Sequence, residues 1–201
     1  MKMTSRALAE FGYARRRALR LCEVATDVRL RPLTYEDIEP PLHAALAAYV
    51  SGWEAYIEAV TREFLQLQVA RADPLASAFA KILGDEAGRA IKRFNTPTFE
   101  ESRGLILRFT GFDPFTILRS ERLKMTSDQS RGRLDEVLKV RHAFAHGLPL
   151  PSFPWLTRYN REARLSRQSL KMVDILISDL SKAIDVGLSQ YARNILKSAV
   201  W

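Results

Sequence analysis

Residues 42 to 72, LHAALAAYVSGWEAYIEAVTREFLQLQVARA, contain no helix breaker except Gly52. Leu42, Leu46, Tyr49, Val50, Trp53, Tyr56, Ile57, Val60, Phe64 and Leu67 recur at spacings of three and four, the period of one helix face. A helix lying on a surface needs only a narrow apolar band. This band is broad, so it predicts a central helix contacted on more than one side. Asp37 and Glu39 mark its start, with Pro40 and Pro41 placed in a first turn, where a missing N–H costs nothing.

The flanking segments follow the same period. Residues 4 to 29 set Leu8, Phe11, Leu19, Cys22 and Val28 among charges, and Pro32 closes that helix. Asp73-Pro74 caps a helix over about 74 to 93. TFEE at 98 to 101 reads as a capping box opening a shorter helix to about Phe109, after which GFDP turns and Asp113-Pro114 starts a short helical piece. Ser127 or Ser130 opens the next helix. From Ser166 onward, Leu170, Val173, Leu176, Ile177, Leu180 and Ile184 describe a final long one. No stretch alternates as a strand, and neither a repeat nor a linker interrupts the chain. Nine glycines and nine prolines in 201 residues also suit a fold with few turns. The expectation is an all-α single helical bundle, one domain over residues 1–201, with four or more substantial helices.

Lys and Arg number 31 against 23 acidic residues, a formal charge of +8. That surplus concerns partners rather than fold, and it suits a polyanion or an anionic surface. A single cysteine, Cys22, excludes an internal disulfide framework, fits a reducing compartment and reads as a small buried filler. The N-terminal residues show no apolar signal region, and no window nears the roughly 18 apolar residues of a membrane span. The chain is expected to be cytoplasmic, with no membrane role.

Chemistry concentrates in KVRHAFAHGLPLP, residues 139 to 151. The apolar stripe before it runs Leu134, Val137, Leu138, then meets Arg141, then continues with Phe144 and Ala145. Burying a guanidinium without a partner is costly, so the stripe should meet a polar cleft or another chain there. His142 and His146 are four apart and share a face. Gly147 supplies a left-handed C-cap, and Pro149 and Pro151 stop the helix. Rival readings make the two histidines cations favouring the negative end of a helix dipole, or phosphate contacts without chemistry. A zinc site would need a third ligand, for which only His43 and scattered carboxylates remain.

LDEVLKVRHAFAHG resembles the signature of HEPN domains, helical bundles marked by an arginine, four to six residues, and a histidine; here these are Arg141 and His146. The polar residue after the arginine, His142, fits that pattern, as does the downstream glycine. AYVSGWEAYIEAVTREF looks like the long second helix of the RiboL-PSP-associated HEPN group, and the likeness covers most of the chain, least so the first 35 residues. The resemblance implies a metal-independent endoribonuclease that needs no cofactor and works as a homodimer with both motifs facing one cleft. The chemistry is credible on these residues. Cleavage through the 2′-OH needs a base for that hydroxyl and an acid for the leaving 5′-oxygen, and histidine suits both roles. Arg141 would stabilise charge on the non-bridging oxygens, with His142 orienting the phosphate or a neighbouring side chain. Helix-end carbonyls repel phosphate, which makes the arginine more necessary.

Family members often keep a polar residue on the long helix near the cleft, so Glu54 or Glu58 would position Arg141 or His146; a solvated Glu58–Arg62 pair explains the same residues. Trp53 and Tyr56 read as core. The basic stretch ARRRALR at 14 to 20, and Arg158, Arg161, Arg164 and Arg167, would collect RNA backbone or simply face solvent. Two functions remain. One is a ribonuclease of the toxin–antitoxin or phage-defence kind, acting on RNA and held in check by an antitoxin or operon-encoded partner protein. The other is a catalytically silent HEPN-like module that binds RNA, nucleotide or a partner protein. A helical transcription regulator would need a helix-turn-helix, which is not evident.

Overall fold

The computed structural model describes residues 4–25, 27, 34–69, 74–94, 98–196 and 201. Helix α2 runs Tyr35–Val69 and is the axis of the molecule. Its start is locked by Asp37, whose Oδ2 accepts from both the backbone N–H and the hydroxyl of Thr34 at 2.8 Å. The helix therefore begins upstream of the expected point, and Pro40 and Pro41 lie beyond the first turn. Each proline removes one N–H bond of the ladder. The Thr34–Asp37 lock and the first-turn acids Glu36 and Asp37 offset that loss.

The broad stripe is the core. Leu42, Leu46, Tyr49, Val50, Trp53, Tyr56, Ile57, Val60 and Phe64 are all at most 1% exposed, and Leu67 packs at the margin. Burial of each such side chain contributes about 1.5–3 kcal/mol. The stripe is broad because α2 is wrapped by helices α1 (Arg6–Val24), α3 (Pro74–Lys92), α4 (Phe99–Thr110), α5 (Ser127–Ala145) and α6 (Arg167–Leu196). Gly52, the one apparent breaker, packs against α1; a Cβ there would meet the Ala14 Cβ at 3.2 Å.

Helix α1 is capped by Ser5, buries Phe11 and Cys22, and half-buries Leu8 and Leu19. Val28, Pro32 and Asp73 lie outside the described residues. The capping box of α4 is complete, with Glu101 N–H donating to Thr98 Oγ1 at 3.2 Å and Thr98 N–H to Glu101 Oε2 at 2.7 Å. Asp113 accepts from Phe115 N–H at 3.0 Å and opens a 3-10 turn over Pro114–Ile117. Ser166 Oγ accepts from Ser169 N–H at 3.2 Å at the head of α6, whose stripe from Leu170 to Ile184 is buried.

One element departs from the all-helix expectation. Strands β1 (Thr157–Tyr159) and β2 (Glu162–Arg164) pair antiparallel, with Arg158 opposite Ala163. Asn160 and Arg161, both at positive φ, make the turn. Three residues per strand give too little alternation to stand out in the sequence. The structure remains mostly helical, and among the described residues no helix is long and apolar enough to cross a membrane.

Candidate functional site

Helix α5 begins at Ser127, one of the two expected starts, with Thr126 as its N-cap. Thr126 accepts from Gln129 N–H while the Gln129 side chain accepts from Thr126 N–H, a second capping box. Ser130 is buried instead, and its hydroxyl accepts from Ser120 N–H at 3.2 Å. The buried face carries Leu134, Val137 and Leu138, as expected, but then continues through Val140 and Ala143. Phe144 and Ala145, expected on the stripe, are exposed, Phe144 by 43%. The face is wider than one heptad row because α5 meets both α2 and α6.

The helix ends in a full Schellman arrangement. Leu148 N–H donates to Ala143 O at 2.8 Å and Gly147 N–H to Phe144 O at 3.1 Å, with Gly147 at φ 62°. His146 is the C-cap residue. The main chain turns away there, and its imidazole stays exposed beside that of His142; the ring centroids are 4.3 Å apart at 47°. Arg141, one residue earlier, is half-buried.

Glu54 faces Arg141 across the α2–α5 seam. Burial raises the Glu54 carboxyl above its ordinary value; the positive charge of Arg141 opposes this and the charge of Glu58 adds to it. Glu54 Oε1 is buried without a hydrogen bond. Glu58 is also raised by burial, but the cation that acts on it is Arg62, in keeping with the paired helix-face reading. Of the two carboxylates, Glu54 is the one brought to the motif.

His43, in the sequence only a candidate third metal ligand, lines a cleft beside α5. It is 1% exposed and stacks on Phe144, with ring centroids at 3.8 Å and planes 11° apart. Its Nε2 lies 3.4 Å from Glu39 Oε1, within ion-pair range but outside hydrogen-bond alignment, and neither ring nitrogen makes a hydrogen bond. Burial lowers its pKa, and Glu39 works against that. The Glu39–His43 spacing of four was the visible cue. Among the described residues no three His, Cys, Asp or Glu side chains are placed to hold a metal ion.

A cleft of about 700 Å³ opens between the first turns of α2, the chain after α5 and the hairpin, lined by Tyr35, Glu39, His43, Phe144, Leu148 and Arg164 among others. Arg141, His142 and His146 stand outside its lining. The hairpin arginines differ from one another. Arg158 donates to Ser152 Oγ at 2.8 Å, Arg161 occupies the turn, and Arg164 lies 4.3 Å from the Tyr35 ring centroid and 4.6 Å from that of Tyr159. In the N-terminal basic stretch, Arg15 forks onto Asp174 at 2.5 and 2.7 Å, a packing role rather than a surface one. Trp53 and Tyr56 are core.

The arrangement offers two adjacent imidazoles for proton transfer and a guanidinium for anionic oxygen, at the open end of a rigid helix. No family model, curated protein or solved structure matches the chain.

Proposed function

We propose that this protein is a metal-independent endoribonuclease of the HEPN kind, cleaving RNA by 2′-OH attack at a site shared between two copies of the chain. The observation that carries the reading is the helix end itself: Arg141, His142 and His146 lie within six residues of one another where α5 stops, with two exposed imidazoles in contact and Glu54 behind the arginine. Placing three such residues at the solvent end of a helix does nothing for the core.

The two imidazoles are exposed and Arg141 is half-buried, and none of the three lines the cleft beside α5. A second copy across a two-fold axis supplies the missing wall. Each protomer then contributes one His146, giving the site a base for the 2′-OH and an acid for the 5′-oxygen. Arg141 bears on the phosphorane oxygens, Glu54 positions it, and His142 orients the phosphate. Such a nuclease fits toxin or phage-defence duty under the control of an antitoxin or operon-encoded partner. A second reading, a module that binds RNA or nucleotide without chemistry, is favoured by the fact that the cleft beside α5 is not lined by the motif.

Incubating the purified protein with total RNA tests both. Wild type is expected to fragment the RNA as a dimer by light scattering, and His146→Ala to bind it and leave it whole. Cleavage by His146→Ala at the wild-type rate rejects the assignment. Binding without cleavage by wild type selects the silent module.

A further inference from the structure

The cleft beside the motif combines three features. Its floor is aromatic, the parallel His43 and Phe144 rings at 3.8 Å, with Phe144 still 43% exposed. Its wall is a planar cation, the Arg164 guanidinium seated between the Tyr35 and Tyr159 rings. Its rim carries both signs, Glu36 and Glu39 from α2 against Arg161, Glu162 and Arg164 from the hairpin, where Arg164 also donates to Glu162 Oε2 at 3.3 Å and keeps its other N–H groups for a ligand. Three carboxylates would repel a bare phosphate, and an apolar ligand would strand all five charges. A flat heteroaromatic ring that bears both N–H donors and a carbonyl uses all three features.

Glu39 sets which ring. An ionised carboxylate only accepts hydrogen bonds. His43 is buried against it with both ring nitrogens unengaged, so a proton on Nε2 can hold the carboxylate in place at the cleft edge. Guanine presents N1–H and the N2 amine side by side, the pair of donors that one carboxylate takes together, with O6 next to them for an arginine. Adenine and cytosine present a donor beside an acceptor. Uracil presents one N–H between two carbonyls, which a carboxylate opposes.

We propose that this cleft is a guanine pocket: Glu39 accepts from the Watson–Crick edge of the base, Arg164 faces its carbonyl, and the base belongs to a single-stranded RNA lying across the end of α5. The base chemistry stands on the cleft alone, whereas the RNA assignment rests on the ribonuclease reading. Phe144, Gly147 and Leu148 line the cleft and flank His146 in sequence, so a base seated there brings its own phosphate to the motif. His43 is a positioning residue that acts through Glu39.

Binding by full-length His146→Ala separates this pocket from the chemistry. Labelled single-stranded RNA hexamers carrying one guanosine, inosine, adenosine or uridine at the same position are titrated by fluorescence anisotropy, with GMP as competitor. The guanosine hexamer is expected to bind about tenfold or more tighter than the uridine one, with inosine, which lacks the N2 amine, between them. Adding Glu39→Gln should bring the preference to within about twofold, with the circular dichroism unchanged. Adding His43→Phe, which keeps the stack, should narrow the guanosine–inosine gap without altering uridine binding. Equal binding of the four hexamers, no binding at all, or a preference that survives Glu39→Gln overturns the pocket. GMP competing as strongly as the guanosine hexamer overturns the RNA assignment in favour of a free nucleotide. A guanosine preference together with an inactive wild type sinks the ribonuclease reading and leaves the pocket standing.

Discussion

Two seams of this bundle treat buried charge in opposite ways. Where α1 meets α6, Arg15 grips Asp174 with two bonds, and both the N–H and the hydroxyl of Ser5 donate to Asp185. Nearby on α6, Asp179 accepts from Ser120 at 2.7 Å and from Arg122 at 2.6 Å. Where α2 meets the end of α5, Glu54 Oε1 and both nitrogens of His43 are buried without a hydrogen bond, and two imidazoles stand in solvent. The first seam shows what the fold needs: charges are tolerated inside because each is matched. The second forgoes about 1–3 kcal/mol for each unmade buried bond, a cost that a ligand or a second chain can recover. The contrast separates the charges that belong to the fold from those that belong to the candidate site.

The largest expected effect is on the site side. His146→Ala should lower RNA cleavage by about 10²–10⁴-fold and Arg141→Ala by about 10²–10³-fold in initial-rate assays. Arg141→Lys should recover only part, since a point charge does not replace a planar fork. The urea midpoint of His146→Ala should stay near wild type. An Arg141→Ala protein that is destabilised but cleaves normally per folded molecule would move Arg141 to the fold side and break the contrast.

Next comes the matched seam. Arg15→Ala strands the carboxylate of Asp174, whose side chain is 9% exposed, and should cost about 2–4 kcal/mol in urea unfolding with cleavage per folded molecule unchanged. A loss of activity without a loss of stability would reverse its assignment.

The pH dependence sharpens the same division. Burial holds Glu54 above the ordinary carboxyl range, whereas the Arg103 guanidinium beside Asp113 holds that carboxyl below it. Glu54 keeps its proton more readily when folded, so its contribution is complete below the unfolded pKa and is lost as pH rises through the folded one. That of Asp113 is present above the unfolded pKa and is lost as pH falls. Glu54→Gln should therefore flatten the decline in stability above about pH 4.5, and Asp113→Asn the decline below about pH 4, in urea midpoints measured across that range. A Glu54→Gln profile that loses stability as pH rises just as wild type does would remove Glu54 from the unmatched set.

The smallest effects belong to the hairpin. Arg158→Ala and Arg161→Ala should each reduce the salt slope of RNA binding by about 0.7 and leave stability within about 0.5 kcal/mol. Arg164→Ala should weaken binding more than either, since its guanidinium is built into the cleft wall. Equal effects from all three would argue for a featureless basic surface.

Much of the helical fold was legible in the sequence because long stripes repeat the same information many times over. The α2 stripe and the Thr98–Glu101 box are of that kind. What escaped depends on few residues. The start of α2 turns on the Thr34–Asp37 lock, which the two prolines mask. The hairpin has three residues per strand, and its only cue is Asn160 in the turn. In the site, Arg141, His142 and His146 were marked by the helix end they share. The charge of Arg141 acting on Glu54 comes from helices far apart in sequence, as does the stacking of His43 on Phe144. Periodicity names a face but not the residue opposite it.

The most direct measurement is the chemistry of the cut ends. Wild-type protein incubated with a defined RNA in EDTA should yield fragments ending in a 2′,3′-cyclic phosphate and beginning with a 5′-hydroxyl, because the 2′-oxygen is the nucleophile and histidines move both protons. The matching DNA, which lacks that hydroxyl, should stay intact. Fragments with 5′-phosphates, cleavage of the DNA, or complete loss of activity on chelation would show that a positioned hydroxide does the work, and would contradict the assignment of Arg141 and His146.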